Sequence, residues 1–119
     1  VNRYKSVVKY WEIANEMNTK TTPPAGMSAA DYATFLVYSR NAIRAADANA
    51  QVAIACELGN YGYPIENAYQ WLRDVLAAGG GSGFDVFNYH DYKSWWTLPS
   101  HYDQFRAILD ANGLQAVPI

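Results

Sequence analysis

Four polar side chains of this 119-residue chain lie at the ends of apolar runs, where they could reach one cleft. Asn15 and Glu16 directly follow an apolar run at residues 10–14. His90 and Tyr92 lie two positions apart at the end of another apolar run, so in an extended strand both side chains point to the same side. A carboxyl group at a strand end inside an aromatic cleft would be partly desolvated, which keeps it protonated near neutral pH until a substrate oxygen arrives. The residue types therefore predict a site in which Glu16 donates a proton.

Four apolar runs of strand length would position these residues. The runs are residues 10–14, 52–56, 84–89 and 114–119. The segments between them repeat apolar residues at helical spacing. This alternation predicts an α/β fold whose parallel strands are joined by right-handed crossovers. In such folds sites gather at the carboxyl ends of the strands, where both pairs of polar residues lie.

The predicted strands are apolar almost throughout, which is typical of parallel strands that are covered on both faces. A doubly wound sheet and a barrel both satisfy this pattern. The strand starts are spaced close to the roughly 31 residues per unit of an eight-unit barrel. Four such units would make a partial (β/α)8 TIM barrel of about four parallel strands, in a single domain over Val1–Ile119. A doubly wound sheet stays open as the alternative.

Two local signals mark ends of the predicted helices. Ser28, with Asp31 three residues later, resembles a capping box at the start of the first helix. The glycine-rich run at residues 79–83 follows the second helix. A phosphate-binding loop runs from a strand through glycines into a helix, whereas these glycines lie between a helix and a strand. The run is therefore interpreted as a helix stop.

Composition argues against several classes of partner. Nine Lys and Arg against 11 Asp and Glu give a net charge of -2, which disfavours nucleic acid. No apolar run approaches the ~18 residues of a membrane span. The single cysteine, Cys56, cannot form an internal disulfide and is interpreted as a small buried residue.

We expect no cofactor and no metal, since Asp91 should point away from His90 on an extended strand. The chain begins at Val1, which leaves secretion open.

Two motifs carry a resemblance to a known family. The pattern Trp-x-Ile-x-Asn-Glu at residues 11–16 resembles the acid/base strand, the fourth, of the clan A glycoside hydrolases, which are retaining (β/α)8-barrel enzymes. The run Phe-Asn-Tyr-His-Asp-Tyr at residues 87–92 resembles the His-x-Tyr motif on the sixth strand of the same clan. The resemblance covers essentially the whole chain, as strands four to seven with their intervening helices, and implies a single partial barrel domain that is truncated at both ends.

The resemblance implies a function and roles for particular residues. The reaction is the hydrolysis of O-glycosidic bonds in a β-linked glycan or glycoside by a retaining double displacement, as in cellulase-like or xylosidase-like enzymes. Glu16 would be the general acid/base, Asn15 would bind the sugar 2-hydroxyl, His90 would contact the sugar, and Tyr92 would donate to the nucleophile. In the resembled clan the nucleophilic glutamate follows the seventh strand, which places it beyond Ile119. We therefore expect the isolated chain to be inactive.

Aromatic residues make up 15% of the chain and provide candidates for sugar binding. Trp95 and Trp96 follow the third predicted strand, and Tyr61 and Tyr63 follow the second. An apolar sugar face stacks well on such rings, so we expect Trp95 or Trp96 to contact the substrate.

Two further carboxylates lie near the predicted site. Glu12 alternates onto the face of Glu16 and is interpreted as a structural ion partner. Glu57 follows the second strand and could line the cleft.

The predicted partners are a carbohydrate substrate and either the rest of the parent barrel or a second copy of the chain, joined through open strand edges. Two other interpretations remain. One is a non-catalytic carbohydrate-binding barrel. The other is an unrelated doubly wound α/β domain in which Asn15 and Glu16 form only a turn. A strand order that is not sequential would favour the latter.

Overall fold

The computed structural model describes residues 1–19, 27–58 and 64–119. Within these ranges three strands alternate with three α-helices, which confirms the predicted α/β class. The elements are β1 (Tyr10–Glu12), α1 (Ala29–Ala46), β2 (Gln51–Leu58), α2 (Ile65–Ala77), β3 (Val86–Asp91) and α3 (Leu98–Ala111). Short 3₁₀ turns, Gly80–Gly83 and Trp95–Thr97, precede β3 and α3. None of the helices in the described ranges is long and apolar enough to cross a membrane.

The three strands form an open parallel sheet in the order β1-β2-β3. The register places Trp11 beside Val52 and Glu57 beside His90. The order is therefore sequential, and the carboxyl ends of all three strands meet at one edge of the sheet.

The fourth predicted strand, residues 114–119, is not formed, so the expected count of about four strands is wrong for the described part of the chain. The segment reaches β3 through a hydrogen bond from Phe87 N to Pro118 O at 2.9 Å. Pro118 has no amide proton with which to extend a ladder. In addition, the guanidinium of Arg106 binds two carbonyl oxygens of this segment at 2.6 Å, which occupies acceptors that a strand would use.

The helices cover one face of the sheet and form the core with it. Alternate residues of β2 are fully buried there: Val52, Ile54, Cys56 and Leu58. They pack in one cluster with side chains from each helix, including Tyr32, Leu36, Leu72, Val75, Phe105 and Leu109. The interpretation of Cys56 as a small buried residue is confirmed.

Neighbouring residues of a strand point to opposite faces of the sheet, so the residues between the core residues lie on the other face. At the centre of that face the side chains are small or polar. Ala53, Ala55 and Glu57 of β2 alternate with the core residues, and Asn88 and His90 of β3 lie in register with the last two of them. This face leads to the strand ends at which the candidate site lies.

The predicted helix ends are confirmed. Ser28 Oγ accepts a hydrogen bond from Asp31 N at 3.1 Å and donates one to the Asp31 carboxylate at 2.8 Å. Gly79 has a φ of 86°, a left-handed conformation that favours glycine and ends α2. The glycine run is thus a helix stop.

Candidate functional site

Glu16 lies in an unusual turn just after β1. Ala14 has a φ of 65° and Glu16 a φ of 51°, a left-handed conformation that is uncommon for residues with a Cβ. Such conformations cost about 1–3 kcal/mol each and persist only where the surrounding structure holds them. The turn therefore needs anchors on both sides.

Two buried side chains supply these anchors. Asn18 Nδ2 donates to Glu57 O at 2.7 Å, and Glu57 N donates to Asn18 Oδ1 at 2.8 Å, so one amide group binds the turn to the end of β2. On the other side, the hydroxyl of Tyr32 in α1 donates to Ile13 O at 2.8 Å. Burial, aided by the charge of Glu12, raises the pKa of Tyr32 above its usual value of 10, so this hydroxyl remains a donor.

The Glu16 carboxylate is held by two residues from the end of β3. Its Oε1 atom lies 2.8 Å from His90 Nδ1 and accepts a hydrogen bond from the Tyr92 hydroxyl at 3.2 Å. The structure therefore brings together three residues that the sequence placed at two strand ends 74 or more residues apart. By the family resemblance Tyr92 would donate to the nucleophile; here its hydroxyl donates to Glu16.

A second layer of polar contacts lies behind His90. Asn88 Nδ2 donates to Glu12 Oε2 at 2.6 Å and lies 3.5 Å from His90 Nε2. An amide proton directed at Nε2 favours the tautomer whose proton sits on Nδ1, where it points at Glu16. Glu12 was expected to be an ion partner, but the partner seen here is the neutral amide of Asn88.

The remaining predicted residues surround this centre. Asn15 is exposed beside Glu16, and its side chain makes no hydrogen bond within the described ranges, so its amide is accessible to a ligand. Trp95 and Trp96 are 80% and 66% exposed and pack edge to face with ring centroids 5.8 Å apart. Glu57 is buried next to His90 in the sheet register.

Some expectations concern residues that the structure does not describe. Tyr61 and Tyr63 lie outside the described ranges.

Within the described ranges, no group of three or more His, Cys, Asp or Glu residues is arranged to hold a metal ion. Asp91 points away from His90, as expected, and binds His101 Nδ1 at 2.7 Å.

Sequence reasoning missed Asn18, Tyr32, Asn88 and His101. Asn88 could have been found, since it precedes His90 by two residues and must share its face. The others carry no local signal, because their partners lie in different elements.

The arrangement is suited to acid–base chemistry. The side chains of Glu16 and His90 are 18% and 23% exposed, so the carboxyl group is held by hydrogen bonds and still open to a ligand. Two donors on one oxygen fix its position, and the second oxygen can exchange a proton with a bound molecule.

No protein-family model, no curated protein and no solved structure matches this chain.

Proposed function

We propose that this chain contributes the acid/base side of the active site of a retaining glycoside hydrolase, with Glu16 as the general acid/base and a β-linked glycan or glycoside as substrate. One observation carries the proposal: Glu16 Oε1 is bound by both His90 Nδ1 and the Tyr92 hydroxyl at the carboxyl end of the sheet. These are the residues of the two motifs that resemble the clan. A carboxyl group held in this way is placed to protonate a leaving oxygen.

The proposal includes a partial (β/α)8 barrel as the fold. Support comes from the parallel strands in sequential order, with a helix after each. The described strands lack the reversal of order that marks the switch point of a doubly wound sheet.

In the proposed reaction Glu16 acts twice. It first gives its proton to the glycosidic oxygen while a second carboxylate attacks the anomeric carbon and forms a glycosyl ester. It then takes a proton from the water that hydrolyses this ester. Asn15 would bind the 2-hydroxyl, and that bond strengthens as positive charge develops on the ring. None of the 119 residues matches the nucleophile position of the resembled clan, so we expect no turnover by this chain alone.

An affinity label tests the role of Glu16 without requiring turnover. N-bromoacetyl derivatives of β-xylosylamine and β-glucosylamine carry an alkylating carbon near the position of a leaving oxygen. A carboxylate that displaces the bromide becomes an ester, which peptide mass spectrometry locates. We expect one principal adduct, on Glu16. Burial raises the pKa of the Cys56 thiol well above its usual value, which keeps this competing nucleophile unreactive.

Matched variants complete the experiment. Glu16→Gln should abolish the adduct, whereas Glu66→Gln, which removes an exposed carboxylate of α2, should leave it unchanged. Bromoacetamide, which has no sugar, should not favour Glu16. Adducts spread evenly over exposed carboxylates, or equal labelling of Glu16 by bromoacetamide, would contradict the proposal.

A further inference from the structure

A cavity of about 810 Å³ lies next to the Glu16 site. Its wall is formed by Pro64 and Ile65 at the start of α2, by residues 92–94 after β3, and by Thr97 and His101 at the start of α3. Tyr92 lines the cavity and also binds Glu16 through its hydroxyl at 3.2 Å. The cavity and the candidate acid therefore share a residue, and one ligand could reach both.

His101 lines this cavity and is held by a buried carboxylate. It is 8% exposed, and its Nδ1 lies 2.7 Å from Asp91 Oδ2. The other oxygen of Asp91 accepts from Lys93 N at 2.8 Å, which fixes the carboxylate in place. With Nδ1–H donating to this carboxylate, Nε2 is the ring atom that remains for a ligand, and it carries a lone pair whenever the ring is neutral. That atom can accept a hydrogen bond from a ligand hydroxyl.

The other residues that line the cavity provide hydrogen-bond donors, acceptors and an apolar wall. Lys93 supplies an ammonium donor, and Ser94 supplies a hydroxyl. The Thr97 hydroxyl donates to Ser94 O at 2.7 Å, so its oxygen is left to accept. Pro64 and Ile65 provide an apolar wall. Donors and acceptors around an apolar surface match a sugar ring, whose hydroxyls donate and accept and whose C–H faces are apolar.

The charge of the lining argues against an anionic ligand. Lys93 is the only Lys or Arg among the described residues that line the cavity, and the carboxylate of Asp91 lies directly behind His101. A negatively charged group would meet one exposed ammonium and one buried carboxylate, which leaves no surplus of positive charge.

We propose that this cavity binds an additional sugar unit, so that the substrate is an oligosaccharide or longer glycan and not a simple glycoside. The inference rests on the proposed function, since Tyr92 links the cavity to Glu16. The volume falls in the range of about 300–1,000 Å³ that is usual for ligand pockets. Trp95 and Trp96 lie between the lining residues Ser94 and Thr97 in the chain and are exposed, so their rings are open to adjacent sugar units.

Nuclear magnetic resonance of the two histidines tests this inference in the 119-residue chain. The probes are xylose, glucose, xylotetraose and cellotetraose, and the ring ¹H–¹⁵N signals report on His90 and His101 separately. At least one tetrasaccharide should shift both histidines, whereas the monosaccharide of the same sugar should shift His90 alone.

Binding affinities of variants provide the second readout. Lys93→Ala and Ser94→Ala should each weaken tetrasaccharide binding by about 3- to 10-fold, the equivalent of one hydrogen bond. Both positions are near the surface, so the folded state is retained without the buried His101–Asp91 pair being disturbed. Lys5→Ala, an exposed lysine before β1, is the control and should bind like the wild type.

The two proposals fail in different ways. A tetrasaccharide that shifts His90 but not His101, and that binds Lys93→Ala as tightly as wild type, overturns the cavity inference and leaves the role of Glu16 intact. If none of the four sugars shifts either histidine, both the inference and the proposed function are overturned.

Discussion

Asn18 links the turn that carries Glu16 to the neighbouring strand. Its side chain is buried and binds both backbone groups of Glu57, at 2.7 and 2.8 Å. Asn18→Ala leaves a buried donor and a buried acceptor unpaired, so we expect the free energy of unfolding to fall by about 2–4 kcal/mol. Urea denaturation measures the loss.

Two further variants sharpen this prediction. Asn18→Asp keeps an acceptor for Glu57 N but loses the donor to Glu57 O, so it should also be less stable than wild type. Asn49→Ala, at an exposed position before β2, is the control and should change the unfolding free energy by less than ~0.5 kcal/mol. Equal midpoints for Asn18→Ala and wild type would show that the turn does not depend on this anchor.

The residues of the site were predictable to different degrees. Glu16, His90 and Tyr92 could be placed together because parallel strands bring their carboxyl ends to one edge. Asn18 and Tyr32 could not, since their partners lie 39 and 19 residues away and nothing in the local sequence indicates them. The left-handed backbone at Ala14 and Glu16 was unforeseen for the same reason, as tertiary contacts stabilise it against local preference.

At the scale of elements, the alternation of apolar runs and helical spacing predicted three strands and three helices correctly. It failed for residues 114–119, whose apolar side chains resemble those of a strand. The side chain of Arg106 binds the carbonyl groups of this segment, and Pro118 lacks an amide proton. A hydrophobic pattern predicts which side chains prefer burial. A strand also needs backbone donors and acceptors that are free to pair with a neighbouring strand.

Asp85 joins α1 to the sheet. Its carboxylate binds Arg40 at 2.8 Å, Arg44 at 3.0 Å and the Val52 amide at 3.0 Å, and its side chain is 15% exposed. Burial tends to raise the pKa of Asp85, but the hydrogen bonds from Arg40, Val52 and Arg44 outweigh it and hold the pKa below the usual 3.8. The folded protein therefore favours the ionised form more than the unfolded chain does.

The sign of this shift gives a pH dependence. A lowered pKa stabilises the fold above the usual aspartate pKa, and that contribution is lost as pH falls through the lower pKa of the folded state. Asp85→Asn should cost about 1–3 kcal/mol at neutral pH, and its deficit relative to wild type should shrink below pH ~4. Urea unfolding across this pH range measures both. Asp103→Asn, an exposed carboxylate of α3, is the control at neutral pH. A deficit that is constant with pH would contradict the argument.

The 3₁₀ turn after α2 packs closely against α1. A Cβ at Gly83 would lie 2.8 Å from Leu36 Cγ and 3.1 Å from Val37 N, whereas a Cβ at Gly81 would lie 3.4 Å or more from its neighbours. Gly83→Ala should therefore lower the free energy of unfolding by about 1–3 kcal/mol through overpacking. Gly81→Ala is the matched control, with an expected change below ~0.5 kcal/mol. Equal unfolding midpoints for the two variants would refute the close approach.

For the molecule as a whole, the sheet has an open edge along β1. Gln51 N donates to Lys9 O at 2.7 Å and Ile13 N donates to Ala53 O at 3.0 Å, so the backbone groups of Tyr10 and Glu12 point away from β2. Within the described ranges no strand pairs with that edge. Val7 and Tyr10 beside it are 78% and 67% exposed. Exposed, apolar strand edges are templates for pairing with another chain.

We therefore expect this chain to associate, through the β1 edge, with a second copy or with the remaining strands of a barrel. Tyr10→Pro tests the edge directly: the amide that it removes faces outward, so the pairing with β2 is preserved while the outer ladder is blocked. Tyr10→Ala removes the same ring but keeps the amide. Sedimentation velocity from low to high micromolar concentration should show association of wild type and Tyr10→Ala, and a monomer for Tyr10→Pro. Loss of association in both variants would assign the contact to the exposed ring, and a wild-type monomer throughout would refute association through the strand edge.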